Sequence, residues 1–170
     1  MKVAEKDYRI LKNKNFVIES TITVKLWDEI LINDFHEKLY KILDEIYACI
    51  SLPFDSSKTL ISISFSGDKK VMELNNCFRK KKSATNVLSF PSNYKFNNIL
   101  FLGDIIFSIE TILKEAKKNN ISVENHLIHL FIHSVLHLLG YDHQTEEQAE
   151  KMEILEIEIL SNLQIDNPYN

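Results

Sequence analysis

Two cysteines in 170 residues are too few for a disulfide framework. Cys49 and Cys77 stand in helix-like or apolar surroundings, not in a paired CxxC, and are expected as reduced, idle thiols. Their spacing alone leaves a disulfide between them open. Glycine and proline are scarce too, three of each. No repeat, low-complexity tract or linker interrupts the chain, so a single domain over residues 1–170 is expected. No run is long and apolar enough to cross a membrane. The opening MKVAEKDYRILKNKN is polar throughout and lacks the apolar segment of a secretory leader, which predicts a cytoplasmic protein. Positive charge is in deficit: with a net charge of −4 the protein does not attract polyanions as a whole, and a nucleic acid would need a local patch. Arg79-Lys80-Lys81-Lys82 is the best candidate, though by itself such a run is more often a solvated loop than a binding site.

What is present is apolar patterning, at 45% hydrophobic residues enough for a sizeable core. Residues Phe16 to Val24 are rich in β-branched side chains and read as a strand, and TLISISFS at 59–66 alternates, with Ile61, Ile63 and Phe65 on one side. Asn86 to Phe90, ended by Pro91, and Gly103 to Ser108 read as two more strands, with SNYKFNN as a polar loop between them. Phe35, Leu39, Ile42 and Ile46 mark one face of a helix from about Asn33 to Ile50, stopped by Pro53. A short helix capped by Asp68 is expected to about Cys77, and another from Ile109 to Lys118. Ser122 is a good N-cap for a helix reaching Leu138, and Gly140 falls where a helix end favours positive φ. The last helix starts at Thr145, where Thr145-Glu-Glu-Gln148 matches a capping box, and runs to about Leu163. The sum is an α+β domain: a roughly four-stranded mixed sheet surrounded by about five helices.

One stretch carries chemistry. HSVLHLLGYDH, His133 to His143, holds three of the six histidines. On a helix His133 and His137 share a face one turn apart, and the turn permitted by Gly140 brings His143 back towards them. Three imidazoles on one side of a zinc leave its fourth position open, the layout of a catalytic site. His129 and His126 lie one and two turns earlier on the same face, as supporting groups, as part of the substrate channel, or as polar positions with no metal contact. His36 has no partner in sequence and is expected at the surface.

Zinc proteases with this HxxxHxxGxxH spacing place a glutamate after the first histidine as general base. Here that position is Ser134, which cannot serve as a base near neutral pH. Met152 falls inside the last helix rather than in a Met-turn. The protease reading therefore lacks its base.

The stretch resembles the signature of the YbeY family, bacterial single-strand-specific endoribonucleases of rRNA maturation, whose pattern is close to HGxLHLxGYDH. The resemblance extends upstream through Leu74-Asn75, Arg79, the TNVLSFP block from Thr85 to Pro91, and Leu102-Gly103-Asp104-Ile105, covering roughly Asp68 to Leu160. Ser134 departs from it by replacing a glycine, and serine is small enough for the ligand geometry to survive. The resemblance implies one Zn2+ per chain on His133, His137 and His143, with Arg79 as a functional residue in the cleft. It implies action in 16S rRNA 3′-end maturation and ribosome quality control. rRNA precursors and ribosomal subunits would be partners, together with ribosomal proteins and an assembly GTPase, but no membrane and no DNA. Chemically, a guanidinium suits a phosphodiester, and Lys80, Lys81 and Lys82 would follow the RNA backbone. Asp142 and Asp104 are candidates for the unidentified general base, though a structural role is favoured for both. Attack by hydroxide or by the ribose 2′-OH stays open. So do a non-catalytic assembly factor that binds pre-rRNA and a structural zinc closed by a fourth ligand such as Asp142.

Overall fold

The computed structural model describes residues 7–27, 32–51 and 58–169. Five strands, β1 (Asp7–Lys12), β2 (Phe16–Ile22), β3 (Lys58–Ser66), β4 (Val87–Phe96) and β5 (Ile99–Ser108), form one mixed sheet in the order β1-β2-β3-β5-β4. The outer pairs are antiparallel, whereas β2/β3 and β3/β5 are parallel. Among the described residues five helices accompany it: α1 (Ile32–Cys49), α2 (Asp68–Arg79), α3 (Ile109–Asn119), α4 (Val123–Leu138) and α5 (Glu146–Asn162). This is the expected α+β class, with one strand more than the roughly four anticipated.

The additional strand is β1. Its residues alternate half-buried and exposed along a sheet edge, and Arg9 pairs with Asp7 two positions away at 2.8 Å. Such a one-sided edge strand carries too few apolar residues to declare itself in sequence. The SNYKFNN segment is likewise not a loop. β4 passes Pro91 through an irregularity between Pro91 and Tyr94, then pairs Tyr94, Lys95 and Phe96 with Phe101, Leu100 and Ile99. Proline is tolerated because β4 is an edge strand and the register breaks there. Asn97, at φ 52°, turns the hairpin.

The core lies between the sheet and the helices. Ile61, Ile63 and Phe65 of β3 meet Phe35, Leu39, Ile42 and Ile46 of α1, as the periodicities predict. α4 is the central helix and is buried along most of its length. Trp27 locks onto the end of β3 by donating Nε1–H to the Ser66 carbonyl at 2.8 Å. Pro53, expected to stop α1, lies outside the described residues. Asp68 does not cap α2; Gly67 is its N-cap, and the Asp68 carboxylate instead accepts from the Ser108 and Thr111 hydroxyls. Both thiols are free, and burial beside Glu45 pushes that of Cys49 up to about 11, which keeps it protonated and inert.

His36, expected at the surface, is 6% exposed, edge-on to Phe65 with ring centroids 5.6 Å apart. Neither ring nitrogen has a hydrogen-bond partner among the described residues. It occupies the solvent-shielded face of α1 one position after Phe35, within the stripe that reaches Leu39 and Leu43. Burial first, and the Arg9 charge second, lower its pKa from 6.5 to about 4.

Two outcomes follow from this packing. A Cβ on Gly103, whose φ is +147°, would sit 2.2 Å from the Phe90 carbonyl oxygen and 2.9 Å from Leu138 Cδ2. Gly103→Ala should therefore lower the urea-unfolding free energy by about 3 kcal/mol or more. For His36, the unfolded chain takes up the proton near pH 6.5 and the folded protein only near 4. Its contribution is thus fully present above about pH 6.5 and is lost as pH falls towards 4, by up to about 3 kcal/mol. His36→Leu should flatten that part of the stability–pH curve, measured by denaturant titration at several pH values.

Candidate metal centre and cleft

The turn after α4 gathers the histidines. Leu139 ends the helix, the Gly140 N–H reaches the His137 carbonyl at 3.0 Å, and the Tyr141 N–H reaches the Leu136 carbonyl at 3.0 Å. This pair of bonds is a Schellman closure, and it needs the φ of +95° that Gly140 adopts. No atom lies within 4 Å of a Cβ built on Gly140, so the requirement there is for backbone conformation, not for space. The Asp142 carboxylate then accepts from the His143 backbone N–H at 2.8 Å and from Gln144 at 2.7 Å. Thr145 starts α5 with the expected capping box. As a result, ligand nitrogens of His133, His137 and His143 all lie within 4.8 Å of one another.

Hydrogen bonds on the far side of two rings define which nitrogens face inward. His137 Nδ1 is 2.9 Å from the Tyr141 carbonyl, which can only accept, so Nδ1 carries the proton. His133 Nδ1 is 2.7 Å from Glu156 Oε1. Glu156 is 1% exposed, and burial alone would push its carboxyl up. Hydrogen bonds from His129 and His133 outweigh that and hold it at about 2, so it is an ionised acceptor and His133 Nδ1 is the donor. In the neutral rings that ligate a metal, both Nε2 atoms are bare, and they face each other at 3.1 Å. Two lone pairs that close repel unless a cation lies between them. The donor set thus fits a shared divalent ion, since zinc takes imidazole nitrogens at about 2.0–2.1 Å. The pKa of His137 is lowered by burial and by its histidine neighbours, which keeps the ring neutral and ready to ligate.

Glu156 was not anticipated from the sequence. It stands on α5 between Met152 and the pair Ile159 and Leu160, the buried residues of that helix. An acid in an apolar stripe was the available signal. His129 supports it from α4, 2.7 Å from Oε2, so His129 belongs to the supporting group. His126 does not. It bonds Glu115 at 2.8 Å, and Glu115 in turn accepts from Asn86, so His126 ties α3 and the start of β4 to α4. Ser134 is fully buried and donates to the Leu130 carbonyl at 2.7 Å, pointing away from the ligands into the core. It leaves the triad undisturbed, and it cannot replace the protease glutamate. Met152 is buried within α5, away from any turn.

The triad opens into a cavity of about 800 Å³ whose wall includes Arg79, Lys81, Asn86, Ser89 and Asp142. The buried Asn75 holds this wall in place by donating to the Ser83 carbonyl at 2.8 Å and accepting the Lys81 N–H at 3.3 Å. The basic run is divided by this folding. Lys80 adopts φ 59° at the C-cap of α2, and its ammonium bonds the Cys77 carbonyl at 3.2 Å. Lys82 is exposed and outside the cavity lining, so Arg79 and Lys81 are the two members that join the histidines. Asp104 points to the opposite face of the sheet, into a hollow with Ser62, Phe78 and Phe90, and cannot reach the triad. The Asp142 carboxyl is held below the ordinary carboxylate range, chiefly by the His143 N–H, as befits a turn-stabilising group. Among the described residues the ligand cluster comprises the three imidazoles alone, with no carboxylate joining them.

Comparisons with known proteins agree with this geometry. The sequence model of the family described as Endoribonuclease YbeY matches residues 21–164. The chain is 40% identical to the Endoribonuclease YbeY of Bartonella quintana over 156 residues, covering 89% of the chain and 96% of the relative. It is 38% identical to that of Francisella philomiragia, covering 75% and 84%, and 36% identical to that of Ehrlichia chaffeensis, covering 81% and 95%. The fold is similar to the solution structure of a Thermotoga maritima protein, with a TM-score of 0.50 and 23% identity over 76% of this chain and 85% of that one.

If Glu156 fixes the proton on His133 Nδ1, Glu156→Gln, nearly equal in shape, should weaken zinc binding about 10–100-fold in a competition titration against a chromophoric chelator. Unchanged affinity would show that the carboxylate does not orient the ligand.

Proposed function

The chain belongs to the YbeY endoribonuclease family, and on that footing we propose that it is a zinc-dependent, single-strand-specific endoribonuclease of rRNA precursors. Its setting would be the cytoplasm, in 16S rRNA 3′-end maturation and ribosome quality control. The observation that carries the reading is the meeting of three imidazole ligands with Arg79 and Lys81 in one cleft. His133, His137 and His143 hold one Zn2+ per chain. Bound there, zinc would supply Lewis acidity for phosphodiester cleavage.

The remaining work falls to the chain itself. Arg79 grips the scissile phosphodiester and stabilises the charge that grows on its oxygens during cleavage. Lys81 holds a neighbouring phosphate, and the exposed Lys80 and Lys82 border the path of the strand. Asp142 is committed to the turn, so proton abstraction is not its role. With a net charge of −4, the protein draws no polyanion from a distance. Affinity for RNA then depends on this short cationic edge and on presentation of the strand by a larger assembly, which suits ribosomal subunits, ribosomal proteins and an assembly GTPase as partners. No helix among the described residues is long and apolar enough to cross a membrane.

The test is cleavage of an end-labelled RNA bearing a single-stranded tail by zinc-loaded protein. Arg79→Ala should slow it about 10²-fold or more, and His137→Ala should reduce it to background, both with unchanged circular dichroism. Cleavage indifferent to both substitutions would identify a contaminant and contradict the assignment. RNA binding by the parent without cleavage would favour a non-catalytic assembly factor.

A further inference from the structure

Beyond α5 the chain reverses. Gln164 takes φ 62°, the Ile165 N–H bonds the Leu160 carbonyl at 2.9 Å, and residues 165–168 run back beside α4, where Asn167 and Pro168 face Ser122 and His129. The Tyr169 N–H closes onto Asn167 Oδ1 at 2.9 Å. This places the Tyr169 ring edge-on to His129, with centroids 5.6 Å apart. Although the residue is 45% exposed, its hydroxyl reaches inward and donates to Glu156 Oε2.

Among the described residues Glu156 therefore has three proton donors for its two oxygens. Oε1 takes the His133 Nδ1–H, while Oε2 takes His129 and Tyr169. Removing one donor from a carboxylate this deeply buried leaves an underbonded charge. Such a charge relaxes by rotating or by drawing harder on its remaining partners, and one of those is the metal ligand. Burial and the Glu156 charge raise the Tyr169 pKa, so the hydroxyl remains a donor at neutral pH.

We propose that Tyr169 is a positioning residue of the metal centre: it clamps Glu156, which sets the tautomer and tilt of His133, so that segment 163–169 governs how tightly the triad holds its ion. This rests on the triad as a metal site and not on the identity of the substrate. It also makes that segment a point of control, because a partner that withdrew Tyr169 would loosen the ion without touching a ligand.

The experiment compares the parent chain with Tyr169→Phe, which loses only the hydroxyl, and with Tyr94→Phe on the exposed hairpin as a control. Zinc affinity by chelator competition should fall roughly tenfold for Tyr169→Phe, the low end expected for a group acting through a ligand's hydrogen-bond partner. It should not change for Tyr94→Phe. In the cobalt-loaded protein, the hyperfine-shifted Nδ1–H of His133 should exchange with solvent faster in Tyr169→Phe. The metal-free unfolding midpoint is measured for each protein, because losing a hydrogen bond to a buried carboxylate also lowers stability. Zinc affinity within about twofold of the parent overturns the proposal. So does weaker binding that merely tracks lower metal-free stability while Nδ1–H exchange is unchanged. Neither readout uses RNA, so a protein that shows both effects yet cuts no RNA would defeat the nuclease reading and leave Tyr169 in its role.

Discussion

The functional end of the molecule depends on two unprotonated nitrogens, Nε2 of His133 and of His137, held 3.1 Å apart. Left to themselves these rings would rotate or share a proton. They are kept in place because each has spent its one N–H elsewhere: His137 on the Tyr141 carbonyl, His133 on the Glu156 carboxylate. The first of these bonds is local and comes with the Schellman turn. The second spans 23 residues, and it requires α5 to pack against α4 with an ionised acid in the contact. A buried carboxylate is costly unless its lone pairs are satisfied, and here three donors satisfy them.

Chemistry with short range in sequence was legible there. The i, i+4 histidines, the glycine that must take positive φ, the Ser122 cap and the Thr145 capping box each depend on neighbours within a turn or two. All are found as expected. The alternation of β3 and the apolar face of α1 were readable for the same reason. What escaped depends on which segment the chain folds against, whether that segment is near or far in sequence. β1 is a strand only because β2 gives it a ladder, and the second half of β4 only because it folds back on β5. His36 is buried by elements remote from it in sequence, so a single histidine with no local partner gave no warning. Glu156 is one acid among several on a charged helix, distinguished only by its place in the apolar stripe.

The cleft illustrates the limit of reading charge in one dimension. Four consecutive cations suggest a continuous patch, but a helix end folds one of them back onto its own carbonyls and leaves another outside the cavity. Arg79 and Lys81, alternate members, turn together to the side where the histidines stand. The two candidate acids divide in the same way. Pleating sends Asp104 to the far face of the sheet, and Asp142 is occupied by the turn that delivers His143. The cleft thus joins two cationic side chains to three imidazoles, a pairing that suits an anionic ligand beside a metal ion.

The account stands or falls on the coordination of that ion. X-ray absorption at the zinc edge of the fully loaded protein measures it directly. Three imidazole nitrogens at about 2.0–2.1 Å and one non-imidazole oxygen are the predicted shell. A fourth histidine, a sulfur or a bidentate carboxylate in that shell would mean a closed structural site, and would contradict the role assigned to the cleft.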